Sequence, residues 1–234
     1  MSQWLSTLDN FILIGMPYAA LLLLAVGFVH RYRGHNAALG TMSTQFLEGR
    51  RHFWALVPLH YGLLTTLLVH ALCFVLPEAV IWWDSNRTRL YLLESLMLTA
   101  GLLAFLGLSI GIQRRRSSPR VRRVTGLLEW IVLADVGFQI GTGILVALLH
   151  PWGTGWLAAA AAPYIRSLLL LSPDPAPLID APFLIKLHVG NAFVLVALIA
   201  YTRLSHVLLV PVSYLWRPLM VFRWATEERR RARD

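Results

Sequence analysis

Five apolar stretches, residues 11–29, 53–76, 90–112, 126–149 and 183–210, dominate this chain and dictate its solvent. A hydrocarbon core takes about 20 consecutive apolar helical residues, and each stretch is long enough to cross one. Within a bilayer every backbone polar group must be satisfied internally, which leaves helices or closed barrels. Runs of this length specify helices. The composition agrees: 57% of the 234 residues are hydrophobic and 14% are charged, against roughly 25% charged in ordinary soluble domains. The predicted fold is all-α, an integral membrane bundle of five transmembrane helices.

A sixth apolar stretch, 156–171, is shorter and carries Pro163 and Arg166. It is read as packed or interfacial helix rather than as a span. The first stretch is expected to remain as a span rather than to be removed as a secretory signal, because no basic residue precedes it and its 19 residues exceed the usual signal core of about 7–15.

Charge sets the expected orientation. Arg31, Arg33, Arg50 and Arg51 follow the first span, and Arg114, Arg115, Arg116, Arg120, Arg122 and Arg123 follow the third. Basic loops stay on the cytoplasmic side. The tail before the first span contains Asp9 and no basic residue, so the N-terminus is expected outside and the C-terminus inside. A formal charge of +9 could also suggest nucleic acid, but twenty arginines bunched beside apolar segments fit topology better. Residues 1–210 are expected to form one membrane domain. Residues 211–234, where Tyr214, Trp216, Phe222 and Trp224 alternate with Arg217 and Arg223, form a basic cytoplasmic tail suited to a partner subunit or the membrane surface.

The single thiol, Cys73, can form neither an internal disulfide nor a CxxC metal site. Iron–sulfur chemistry therefore has to reside on a partner. Chemistry in this chain lies with its eight histidines. His30, His35, His52 and His150 fall in loops or at span ends, where no role is assigned. His60 and His70 lie within the second span, His188 and His206 within the fifth.

One histidine in a span often does no more than bond a neighbouring helix. Four on two spans point to metal ligation. At about 1.5 Å rise per residue, His60 and His70 are about 15 Å apart along their helix and cannot share one metal. Each needs a partner on another helix. The second and fifth spans run in opposite directions, which places His70 with His188 near the outer face and His60 with His206 near the inner face. Two stacked bis-histidine sites suit haem iron, since both axial positions are filled and the centre carries one electron without binding substrate.

The 18-residue interval from His188 to His206 is five helical turns and puts both on one face. The ten-residue interval on the second span misses a common face by about 80°, so tilt or a bend near Pro58 must absorb the difference. A zinc site would gather its ligands at one depth and usually include Cys, Asp or Glu. A proton relay would want carboxylates beyond Asp135 and Glu94. A small transporter finds no inverted repeat. A haem-free anchor for a cytoplasmic enzyme is the remaining alternative.

The runs PLHYGLLTTLLVH around His60 and His70, SPRVR after the third span, and KLHVG with TRLSHVLLVPVSYL around His188 and His206 resemble the gamma subunit of respiratory nitrate reductase. That family is a membrane di-haem cytochrome b, and the similarity covers nearly the whole chain. The resemblance implies two haem b cofactors, with the distal one on His70 and His188 and the proximal one on His60 and His206. It also implies quinol as electron donor, an iron–sulfur beta subunit and a molybdenum-cofactor alpha subunit on the cytoplasmic side, and a bacterial or archaeal cytoplasmic membrane. The same scaffold would serve a nitrite oxidoreductase or another molybdenum or sulfur enzyme.

In the family a lysine near the start of the third span engages the quinol. Here Arg89 is the closest positional match, and a guanidinium does not readily give up its proton. Val69 stands where a glycine often precedes the second histidine, adding bulk beside the distal site. Arg203, one turn from His206, and Lys186, two residues from His188, could neutralise haem propionates. Asp135 and Gln139, one turn apart on the fourth span, are read as interhelical hydrogen-bonding groups. Gly137, Gly141 and Gly143 on that span are read as permitting close approach of a helix or haem.

Overall fold

The computed structural model describes residues 7–33, 49–123, 125–151, 153–202, 204 and 205, and among them there is no strand. Four helical segments, Thr7–His30, Phe53–Val75, Arg87–Ser117 and Leu127–Leu149, are long and apolar enough to cross a membrane, and they coincide with the first four expected spans. In chain order the helices are α1 (Met16–Arg33), entered through a π-helical turn at Phe11–Gly15, α2 (Gly49–Val75), α3 (Pro77–Asp84), α4 (Arg87–Ser117) and α5 (Pro119–Arg123). They continue with α6 (Leu127–Leu149), α7 (Gly153–Trp156), a second π-helical turn at Leu157–Ala161, α8 (Ala162–Leu169), α9 (Ala176–Ile179) and α10 (Phe183–Ile199).

Local chemistry sets the boundaries. The Asn86 side chain accepts from the backbone N–H groups of Thr88 and Arg89, capping the start of α4. At the other end Ser118 is extended because Pro119 follows it, and a residue before proline avoids the helical region. The 31 residues of α4 reach about 46 Å, longer than a hydrocarbon core of about 30 Å, and its last turn holds Arg114, Arg115 and Arg116.

The helices meet through small residues. A Cβ at Gly62 would collide with the Ala100 carbonyl and with Ala104, and one at Gly107 would collide with the backbone of Leu59 and with the Ala55 carbonyl. On α4, Ala100, Ala104, Gly107 and Gly111 recur at helical spacing and are all buried. Lipid tails are as apolar as leucine, so close backbone approach rather than expulsion of water drives this contact. It fixes α2, which carries His60 and His70, firmly against α4.

The stretch expected to pack rather than span does so. Ala158, Ala161, Ala162, Tyr164 and Leu168 are almost completely buried. Tyr164, Leu168 and Leu178 form a cluster with Leu13, against which Ile12, Tyr18, Val189 and Phe193 pack. The Tyr164 hydroxyl donates to the carbonyl of Leu13 in the widened first turn at 2.8 Å, and the Tyr18 hydroxyl donates to Leu168 O at 3.2 Å. These contacts tie α1 and α10 to α8 and α9.

The fifth expected span, 183–210, is shorter among the described residues: α10 is a 17-residue apolar helix ending at Ile199. Thr202 explains the end. Its hydroxyl donates to Leu198 O at 2.7 Å and accepts from the backbone N–H of Leu204, replacing helical bonds with side-chain ones. The 18 residues from His188 to His206 therefore do not run along one uninterrupted helix, and the common-face expectation, which assumed one, is not carried by this geometry. His206 and Arg203 lie outside the described residues, as does the tail 211–234.

Candidate cofactor-binding site

His70 and His188 face each other from α2 and α10, their ring centres 6.4 Å apart and their planes inclined by 41°. Two imidazoles holding one metal from opposite sides, with metal–nitrogen bonds of about 2 Å and ring centres about 1 Å beyond each nitrogen, have centres about 6 Å apart. The observed separation meets that requirement. Among the described residues no three His, Cys, Asp or Glu side chains gather, so the arrangement is a pair rather than a cage.

Hydrogen bonds orient each ring. His70 Nδ1 lies 2.8 Å from Thr66 O, one turn earlier on α2. A carbonyl can only accept, so Nδ1 carries the proton and Nε2 keeps its lone pair. His60 repeats the device with Leu56 O, also at 2.8 Å. Anchoring one ring nitrogen to free the other is the usual arrangement for a ligating histidine. Pro58 lies inside α2 without ending it, so both histidines share one continuous helix.

His188 is fixed from both sides by α6. Its Nδ1 is 2.9 Å from Thr142 Oγ1. The single hydroxyl proton of Thr142 is directed to Phe138 O at 2.9 Å or Gln139 O at 3.0 Å, leaving the oxygen to accept from Nδ1–H. On the other edge, Gln139 Nε2 is 3.3 Å from His188 Nε2 and 3.2 Å from His188 O. The carbonyl identifies that amide atom as a donor, so His188 Nε2 is unprotonated. Asn191 Nδ2 in turn donates to Gln139 Oε1 at 2.9 Å and approaches Asp135 O at 3.4 Å. Gln139 thus belongs to the interhelical network expected of it, whereas Asp135 meets Asn191 Nδ2 through its main-chain carbonyl and its Oδ2 is buried without a hydrogen-bond partner.

Gly143 makes room for the ring: a Cβ there would lie 3.1 Å from His188 Cε1. Of the other two glycines on α6, Gly137 faces Leu108, and Gly141 has no neighbour within 4 Å of its would-be Cβ.

The remaining expected site residues have other partners here. Val69 is buried with Cys73, Val80 and Ala158. The Arg89 guanidinium lies over the rings of Trp82 and Trp83, 4.4 and 5.4 Å from their centres, and its Nη2 donates to Trp82 O. Lys186, read from sequence as a propionate neutraliser, is ion-paired with Asp9. Two groups not marked in the sequence emerge. Thr142 touches His188. Thr154 bridges two acids, with its hydroxyl 2.7 Å from Glu94 Oε1 and 3.1 Å from Asp84 Oδ2 and its N–H 2.8 Å from Glu94 Oε1. A signal existed for the first, since Asp135, Gln139 and Thr142 form a polar stripe at helical spacing. None marked the second.

Two imidazoles on different helices with ring centres 6.4 Å apart are a donor set that could hold a haem iron, His188 Nε2 exchanging its contact with Gln139 for the metal. Fold and site together define a multi-pass helical membrane protein with two histidines brought together from separate helices. Residues 9–225 match the profile of the nitrate reductase gamma subunit family, and the chain belongs to that family. It is 26% identical over 211 residues to the nitrate reductase gamma chain of Bacillus subtilis (strain 168), covering 89% of this chain and 95% of that protein. It is 24% identical over 215 residues to the respiratory nitrate reductase 1 gamma chain of Escherichia coli (strain K12), covering 88% and 93% respectively. It is also 27% identical over 216 residues to the nitrate reductase-like protein NarX of Mycobacterium tuberculosis (strain ATCC 25618 / H37Rv), covering 89% of this chain and 33% of that longer protein.

Proposed function

We propose that this chain is the electron-carrying membrane subunit of a respiratory nitrate reductase, taking electrons from quinol near the outer face of a bacterial or archaeal cytoplasmic membrane. Quinol would leave as quinone, giving up two electrons and two protons, and the electrons would pass to an iron–sulfur beta subunit on the cytoplasmic side. A molybdenum-cofactor alpha subunit would then reduce nitrate. The N-terminus is assigned outside and the C-terminus inside, in line with the run of arginines at the end of α4 and through α5.

The observation that carries this function is the facing of His70 and His188, whose ring centres are 6.4 Å apart on two different helices, with the His188 ring held by Thr142 and Gln139 of α6. His70 and His188 would hold the distal haem b, and His60 and His206 the proximal one. Haem iron with both axial positions filled supplies one-electron transfer with no open site for substrate. The protein's part is to fix the ligand rings, through Thr66 O, Leu56 O and Thr142 Oγ1, and to keep water from them. Arg89, stacked on Trp82 and Trp83, is assigned to the quinol site together with Val69. Arg203 is assigned to a haem propionate; Lys186 could reach one only by releasing Asp9.

The test is a reduced-minus-oxidised optical spectrum with haem-to-protein ratio on the purified full chain, wild type beside His60→Ala and His70→Ala. Two b haems in the wild type, with each variant losing one or both, supports the function. A wild-type chain that binds no haem in a haem-replete host rejects it and favours a haem-free anchor.

A further inference from the structure

We infer that Thr142 is a positioning residue for the distal site, setting the donor strength of His188 through its hydroxyl; this rests on the assignment of His188 as an axial ligand. Three histidine Nδ1 atoms are anchored in the described bundle. Two face main-chain carbonyls, Leu56 O for His60 and Thr66 O for His70. His188 alone of these faces a side chain, at 2.9 Å.

The hydroxyl's orientation is not free. Its proton is taken by the α6 backbone at Phe138 O or Gln139 O, so the oxygen presents a lone pair to the ring. Thr142 is buried, 5% exposed, so its oxygen and not bulk solvent faces Nδ1. Gly143 beside it lets the ring approach, since a Cβ there would press on Cε1. Gln139 holds the same residue by its carbonyl at 3.2 Å, a contact that does not depend on the ring and persists when Nε2 is given to a metal.

An imidazole whose N–H is accepted by a neighbour is a more basic ligand. Stronger donation favours the ferric over the ferrous state and lowers the reduction potential, second-shell hydrogen bonding being one of the levers a protein has on haem iron. Removing the acceptor while keeping the shape therefore raises the potential of one haem only. The two ends of the distal pair differ in this respect: the Thr66 carbonyl cannot be removed by substitution, and the Thr142 hydroxyl can.

The experiment is a potentiometric titration of the purified full chain, with low-temperature electron paramagnetic resonance of its oxidised form, on wild type, Thr142→Val and Thr142→Ser. Expected are two haems in each, an upward shift of one midpoint and a changed low-spin signal for that haem in Thr142→Val, and wild-type behaviour in Thr142→Ser. Loss of one haem by Thr142→Val with retention by Thr142→Ser also supports the hydroxyl's role. Unchanged midpoints and signals in a fully loaded Thr142→Val overturn it, as does equal loss of haem by both variants, which would make the role one of packing. A wild-type chain without haem overturns the ligand assignment as well, so the two failures are distinguishable.

Discussion

The ammonium of Lys186 donates to both carboxylate oxygens of Asp9, at 2.8 Å each, across 177 positions of sequence. The two side chains are 10% and 21% exposed. The pair fastens the first turns of the N-terminal helix to the start of α10, close to His188. Removing one partner of a largely buried pair leaves an uncompensated charge and typically costs about 3–5 kcal/mol, whereas replacing both with apolar groups is often neutral. Asp9→Asn is therefore expected to lower the thermal midpoint of the detergent-solubilised protein clearly, and Asp9→Leu combined with Lys186→Met to recover most of the loss. Equal midpoints for Asp9→Asn and wild type would show that the pair contributes nothing.

Gly143 predicts a local effect at the histidine. A methyl group there meets His188 Cε1 at 3.1 Å, so Gly143→Ala asks the ring to move by a few tenths of an ångström, and Gly143→Val asks for more. The expected outcome is a graded loss of one haem per chain, slight for alanine and nearly complete for valine, with the other haem kept. Pyridine haemochrome analysis against protein concentration measures it. Full haem content in Gly143→Val would contradict the observed contact.

Gly62 and Gly107 predict a global effect. Both sit against backbone atoms of the facing helix, which cannot yield as a flexible side chain does. Overpacking of a tight contact costs about 1–3 kcal/mol. Gly62→Val and Gly107→Val should each lower thermal stability by several degrees, while Gly141→Ala, with nothing near its Cβ, should leave it unchanged. Tryptophan fluorescence during heating in detergent follows all three, and a Gly141→Ala protein as unstable as the valine variants would argue against small-residue packing.

Asp84 predicts a pH dependence. Burial raises its carboxyl above the usual range; the hydrogen bond from Thr154 opposes this, and the charge of Glu94 adds to it. The folded protein thus holds this proton more tightly than the unfolded chain. The corresponding stability is complete below the unfolded carboxyl range, at about pH 4, and is lost as pH rises through the elevated folded value. Asp84→Asn cannot ionise and does not lose it. Relative to wild type, the variant should gain thermal stability from pH 4 to pH 8, and a difference that stays constant or shrinks over that interval would refute the assignment.

The four long helices were legible because hydropathy is written along the chain, and so was the packed stretch 156–171, because Pro163 and Arg166 interrupt it. The proximity of His70 and His188 was legible from the opposite directions of their spans and their depths along them. The common face of His188 and His206 was read on the assumption of a continuous helix. The helix carrying His188 ends at Ile199, where the Thr202 side chain takes over hydrogen bonds of its neighbours, a stop that the hydropathy of 183–210 taken as a whole conceals. The ion pair of Lys186 with Asp9 was not legible, because the two lie 177 positions apart in sequence. Thr142 escaped because threonine in an apolar helix ordinarily satisfies itself on its own backbone. It does so here too, and its second bond exists only because α10 presents His188 to it.

The sequence by itself determined the four long helices and the axial separation of His60 and His70 on one of them. What it did not determine is the rotation of each helix about its own axis. In water that rotation is written as an apolar stripe, but lipid is as apolar as a protein core, so lipid-facing and buried positions look alike. On α2, Leu64, Leu67 and Leu68 are exposed while Val69 and Cys73 are buried, with no difference in polarity to mark them. The close fit of Gly62 and Gly107 against facing backbone, and the bonds of Thr142 and Gln139 to His188, select one rotation, and with it the 6.4 Å separation of the His70 and His188 rings.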